Sequence, residues 1–124
     1  MSAELLLEHK ETVAQAITKR LYQQRPELLE RYGESGRAKC LQDMRYNLEH
    51  LVPALALDRP AMFADYVGWV DGLLRARNVP TDDLRASLVL LQQEAERVLP
   101  ADLHSPLRAC IDAGLETLEQ KTGA

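Results

Sequence analysis

The sequence lacks most of the short motifs that identify enzymes and metalloproteins. It has no glycine-rich phosphate loop, no Gly-x-Ser-x-Gly, no His-Glu-x-x-His and no Cys-x-x-Cys. Its two cysteines, Cys40 and Cys110, lie far apart and have no metal-ligand spacing, so reduced thiols are expected. We therefore predict a protein that is not an enzyme and that holds no metal.

Long apolar runs and a surplus of basic residues are also missing. No apolar stretch approaches the roughly 18 residues of a membrane-spanning helix, and the N-terminus does not have the pattern of a secretory signal. The 19 acidic residues outnumber the 15 basic ones, whereas nucleic-acid binders normally carry a basic surplus. We expect a cytoplasmic protein that binds neither membranes nor nucleic acid.

The residues that are present suit a soluble helical protein. Apolar residues make up 46% of the chain and charged residues 27%, as is normal for a globular domain. A chain of 124 residues can bury one core without disulfides. We therefore predict one domain over residues 1–124. Scattered β-branched residues and the absence of sustained alternation argue against strands.

Apolar residues that recur every three or four positions predict an all-α fold of about five main helices with short connections. A short helical segment that begins at Pro26 and ends at Gly33 joins the first helix to the second. Pro53 lies inside the second helix. The main helices are predicted over residues 3–24, 36–57, 59–77, 81–99 and 102–121.

The helix predicted over residues 36–57 has a line of polar residues beside its core stripe. Five apolar residues, from Leu41 to Leu55, fall within an arc of roughly 80°. Next to this arc the helical spacing places a thiol, a carboxylate, an amide and an imidazole. These are Cys40, Asp43, Asn47 and His50.

Neither haem ligation nor nucleophilic catalysis suits these residues. A globin-type haem needs an axial ligand on the following helix, and residues 59–77 contain no histidine. His50 follows Cys40 by ten residues, about 15 Å along a helix, which is too far for it to act as a base. Taken alone, the residues also fit a small buried thiol beside a surface acid, Asp43.

The stretch from Gly36 to Leu48, Gly-Arg-Ala-Lys-Cys-Leu-Gln-Asp-Met-Arg-Tyr-Asn-Leu, resembles the chromophore-attachment helix of the phycobiliproteins. That helix typically reads Lys-Cys-x-Arg-Asp-x-x-Tyr-Tyr-Leu. Asp65-Tyr66 and the turn ending at Pro80 resemble the family's Glu-Tyr-Leu helix and Ser-Pro turn, and the likeness covers most of residues 10–120. It implies a globin-like fold and a linear tetrapyrrole, or bilin, as the cofactor, with no haem.

The resemblance also implies roles for individual residues. Cys40 would bond covalently to the bilin, Asp43 would contact the pyrrole nitrogens, and Lys39 would pair with a propionate. Gln42 replaces the family's arginine, so propionate binding would also depend on Arg37 or Arg45. The full set of predicted bilin contacts is Arg37, Lys39, Cys40, Asp43, Arg45, Tyr46, Asn47 and Tyr66.

The helical pair through which phycobiliprotein subunits associate is missing, so a light-harvesting rod component is not expected. The chain is more similar to short bacterial relatives, some linked to bilin metabolism and some joined to cobalamin-binding domains. We predict a bilin-binding sensor, carrier or accessory protein, with a dimer and a bilin-metabolism or signalling protein as the expected partners. The alternative is a ligand-free helical module for dimerisation or partner docking.

Overall fold

Helices make up most of the computed structural model, which describes residues 2–122. Within that range no strand occurs, and no helix is both long enough and apolar enough to cross a membrane. Short 3₁₀ turns at Ser2–Glu4 and Ala101–Leu103 precede the first and last helices. The helices are α1 (Leu5–Glu8), α2 (Lys10–Gln24), α3 (Glu27–Ala56), α4 (Pro60–Ala76), α5 (Thr81–Val98) and α6 (His104–Thr122).

The helices follow the predicted order, with breaks at two positions. The first predicted helix is divided at His9, whose φ of −103° and ψ of 13° are not helical. Gly33 has a φ of 70° and a ψ of −171° inside α3, a conformation that favours glycine. As predicted, Gly33 therefore separates a short helical segment from the long helix that follows. Pro53 is accommodated inside α3, which continues to Ala56.

Helices α4 and α6 approach each other closely in the core. Phe63 and Val67 of α4 are fully buried, as is Ile111 of α6. A Cβ atom added to Gly114 of α6 would lie 3.0 Å from Cγ2 of Val67, so glycine allows the two helices to approach closely. On the other side of the molecule α2 packs against α3 and α5, and this arrangement positions the site described next.

Candidate functional site

A cavity of about 410 Å³ is walled by α2, α3, α4 and α5. Its volume lies within the roughly 300–1,000 Å³ of typical small-molecule sites. Leu21, Leu28, Val70, Leu74 and Leu84 supply much of its apolar wall. The polar and charged part of the wall consists of Tyr22, Tyr32, Ser35, Lys39, Cys40, Asp43, Asn47, Arg77, Asp83 and Ser87.

Cys40 is a partly buried free thiol on the cavity wall. Burial, together with the nearby carboxylate of Asp43, raises the pKa of this thiol to about 11. Because the thiolate is the reactive form of cysteine, little of Cys40 is reactive at neutral pH. The site therefore holds a protected thiol that reacts slowly.

Asp43 lies one helical turn after Cys40 on the same wall. Burial raises the pKa of its carboxyl, and the guanidinium of Arg77 opposes that rise. Arg77 Nη2 donates a hydrogen bond to Asp43 Oδ2 at 3.1 Å. A carboxylate has a second oxygen and further lone pairs, so Asp43 can also accept a hydrogen bond from a ligand donor.

Asn47 lines the cavity one turn further along α3 and is 1% exposed. Its Oδ1 accepts a hydrogen bond from the hydroxyl of Tyr66 at 2.5 Å, and its Nδ2 donates to Met44 Sδ at 3.7 Å. Burial raises the pKa of Tyr66, and its ring stacks on His50 with centroids 4.2 Å apart. Tyr66 therefore orients Asn47 from behind the wall.

The structure places four of the eight predicted contacts, Lys39, Cys40, Asp43 and Asn47, on the cavity wall. Three others do not line the cavity and contact other residues instead. Arg37 lies over the ring of Tyr22 at 5.4 Å, Arg45 pairs with Glu11 at 2.6 Å, and exposed Tyr46 accepts a hydrogen bond from Gln42. The assignment of Arg37, Arg45 and Tyr46 as ligand contacts stays a prediction.

Comparison with known proteins shows that residues 1–118 match the family described as phycobilisome protein. The chain belongs to the phycobilisome protein family. No curated protein matches it. Proteins of this family have a globin-like all-α fold and carry covalently attached bilins. The predictions of a globin-like fold and of a bilin as the cofactor class are confirmed.

Phycobilisome proteins are generally non-catalytic pigment carriers, and they typically form oligomers such as heterodimers and hexamers. Among the described residues, no group of three or more His, Cys, Asp or Glu side chains is placed to hold a metal ion. The groups that the cavity wall presents are a thiol, carboxylates and cations.

Two charged residues on the cavity wall of this phycobilisome protein were not predicted from the sequence. Arg77 follows α4, 34 residues after the Asp43 side chain that it contacts. Asp83 stands in the first turn of α5. No local spacing indicates either placement, because both depend on how the turn between α4 and α5 packs against α3.

The donor set of this wall fits a bilin. A bilin presents pyrrole N–H donors and anionic propionates, and it becomes attached through a carbon next to its outer ring. The cavity wall carries a thiol, Cys40, that would form the attachment bond, a carboxylate, Asp43, that would accept from the N–H groups, and two cations, Lys39 and Arg77, that would pair with the propionates. These pairings place acceptors opposite donors and cations opposite anions.

Proposed function

We propose that this protein binds one bilin in the cavity between α3 and α5 and acts as a sensor, carrier or accessory protein without catalysing a reaction. One observation carries the proposal. Cys40 and Asp43, which match the attachment motif, lie one turn apart on the wall of a cavity large enough for a ligand. Residues 1–124 would form one domain working in the cytoplasm. A narrower relation to short bacterial bilin-associated or cobalamin-associated relatives stays a prediction.

Cys40 would form the covalent bond. Its sulfur adds to one carbon of a bilin double bond and its proton passes to the neighbouring carbon, so nothing is oxidised or reduced. With a pKa of about 11, the thiolate fraction at pH 7 is on the order of 10⁻⁴. We expect spontaneous attachment to be slow, and a base or an attachment protein to accelerate it.

Asp43 and two cations would orient the bilin before attachment. The Asp43 carboxylate accepts pyrrole N–H groups and favours the protonated tetrapyrrole, since an opposite charge stabilises the charged form. Lys39 and Arg77 lie on the cavity wall, so they can pair with propionates. Arg77 then bridges Asp43 and a propionate, which keeps the carboxylate and the ligand in one hydrogen-bonded network.

Co-expression with a bilin source tests the proposal. The protein should purify with a visible absorbance band that stays with the chain in denaturant. The Cys40→Ala variant should lose the band on denaturation, whereas Cys110→Ala, which removes a thiol from the core, should keep it. A colourless protein, under conditions that load a known bilin protein, would refute the proposal.

A surface on α4 supports the second candidate, a partner-docking module. Trp69 is 61% exposed, and Met62 and Leu73 are also exposed on the same side of α4. Because exposed apolar groups often mark interfaces, this face would join two copies or dock a signalling partner. Sedimentation of the bilin-free protein should show an oligomer that Trp69→Glu dissociates. A monomer at high concentration would exclude self-association through this face.

A further inference from the structure

A second carboxylate borders the cavity from α5. Asp83 lies on the wall, and its side chain is only 8% exposed. Its Oδ1 accepts a hydrogen bond from Arg25 Nη1 at 2.7 Å, but its Oδ2 is buried without any hydrogen-bond partner. Arg31 Nη1 is 3.7 Å from Oδ2, beyond hydrogen-bond distance.

A purely structural role does not explain this oxygen. Asp83 stands in the first turn of α5, yet no side-chain hydrogen bond caps that helix. The ion pair with Arg25 uses only Oδ1. A buried acceptor left without a donor destabilises the folded state, and such groups are rare in native proteins. Its position on a cavity wall points to a donor that enters with a ligand.

We propose that Asp83 Oδ2 accepts a hydrogen bond from a ring N–H of the bilin, which makes Asp83 a second carboxylate ligand beside Asp43. The inference rests on the proposed function and specifies the acceptors of the same site. A tetrapyrrole carries four ring nitrogens, so it has donors for more than one carboxylate. Arg25 and Arg31 balance the charge of Asp83 and allow it to lie on the same cavity as Asp43.

Two carboxylates would hold the bilin protonated to a higher pH than one would. Asp83 therefore contributes both to affinity and to the pH at which the bound bilin loses its proton. The cavity presents other charged or titratable groups from α2, from α3 and from the turn after α4, and all of them remain in an Asp83 variant. They are Tyr22, Tyr32, Lys39, Cys40, Asp43 and Arg77.

The test compares Asp83→Asn with Asp82→Asn, both in the full chain carrying Cys40→Ala so that binding is reversible. Asp82 provides a matched control because its side chain is 74% exposed and pairs with Arg85. Biliverdin is titrated into each protein, and its absorbance is then followed against pH. We expect Asp83→Asn to weaken binding about ten-fold and to lower the pKa of bound biliverdin by about one unit.

Asp82→Asn should change the biliverdin affinity by less than about two-fold, as expected for an exposed charge. It should leave the pKa of bound biliverdin unchanged. If Asp83→Asn behaves like Asp82→Asn, Asp83 is structural and the inference is overturned, while the proposed function stands. If the Cys40→Ala protein and the wild-type chain both fail to bind biliverdin, the proposed function fails and the inference fails with it.

If circular dichroism shows that Asp83→Asn is not helical, the Asp83→Glu variant is used in the test instead. Glutamate keeps the charge near Arg25 but moves both oxygens by one methylene group. We expect weaker biliverdin binding and a lowered pKa of the bound pigment in a folded protein. Wild-type values in folded Asp83→Glu would contradict a specific hydrogen bond from Oδ2.

Discussion

The contact between α4 and α6 is closely packed, whereas the cavity between α3 and α5 stays open. In the first, Phe63 and Val67 are fully buried and Gly114 provides the space for close approach. In the second, about 410 Å³ stays open beside buried polar groups, including an unpaired oxygen of Asp83. Open space and unpaired buried groups lower stability. The comparison indicates that the packed side stabilises the fold and that the open side is shaped for a ligand.

Phe63→Ala should give the largest effect on stability. Phe63 is fully buried, and truncating such a side chain typically lowers the free energy of unfolding by about 3–5 kcal/mol. Urea unfolding of the bilin-free protein measures this loss. A change below about 1 kcal/mol would show that the α4–α6 contact is not tightly packed.

Asp43→Asn should have opposite effects on stability and on ligand binding. Burial raises the pKa of the Asp43 carboxyl, so its ionised form is disfavoured by folding. This penalty starts to shrink as pH falls below the folded-state pKa and is gone below the lower unfolded-state pKa. The variant should therefore raise the melting temperature of the bilin-free protein slightly at pH 7. It should also weaken bilin binding about ten-fold, because a charged acceptor is lost.

The pH dependence of the melting temperature tests whether desolvation of Asp43 causes the gain. The gain from Asp43→Asn should shrink as pH is lowered, because wild-type Asp43 then becomes neutral as well. A lower melting temperature at pH 7 would instead mean that the ion pair with Arg77 outweighs desolvation. Weaker bilin binding would still identify Asp43 as a ligand in that case.

The reactivity of Cys40 should follow its raised pKa of about 11. Alkylation by iodoacetamide, measured with Cys110→Ala to leave one thiol, should accelerate about ten-fold per pH unit from pH 7 to pH 10. Adding Asp43→Asn should increase the rate at a given pH, since the negative charge of Asp43 contributes to the raised pKa. A plateau in rate near pH 9 would contradict a protected thiol.

The sequence predicts the helices better than it predicts the cavity. Apolar spacing and the special conformation of Gly33 are local, so the helices and the break in α3 follow from neighbouring residues. The cavity depends on distant pairings. Arg45 belongs to the attachment stretch, but Glu11 on α2 binds it. Arg77 and Asp83 have no motif, and only the packing of the turn between α4 and α5 brings them to Cys40 and Asp43.

The smallest expected effects on bilin affinity come from replacing single cations. They should be larger for cations on the cavity wall than for those outside it. Lys39→Gln and Arg77→Gln should each weaken bilin binding by about three- to ten-fold, because a charge-assisted hydrogen bond to a propionate is lost. Arg37→Gln and Arg45→Gln should change it by less than about two-fold, because neither side chain lines the cavity. Neither arginine lines the cavity: Arg37 lies over the ring of Tyr22, and Arg45 pairs with Glu11.

Equilibrium titration of biliverdin into the four variants, each carrying Cys40→Ala, measures these differences. Biliverdin dimethyl ester, which lacks both propionate charges, provides the control. The ester should bind Lys39→Gln as well as it binds the parent protein, whereas Arg77→Gln, which also removes the hydrogen-bond partner of Asp43, should lose less affinity for the ester than for biliverdin. If only Arg37→Gln or Arg45→Gln loses biliverdin affinity, that arginine pairs with a propionate, as the sequence resemblance implies. This result would also mean that the attachment stretch turns its arginines toward the ligand when the ligand binds.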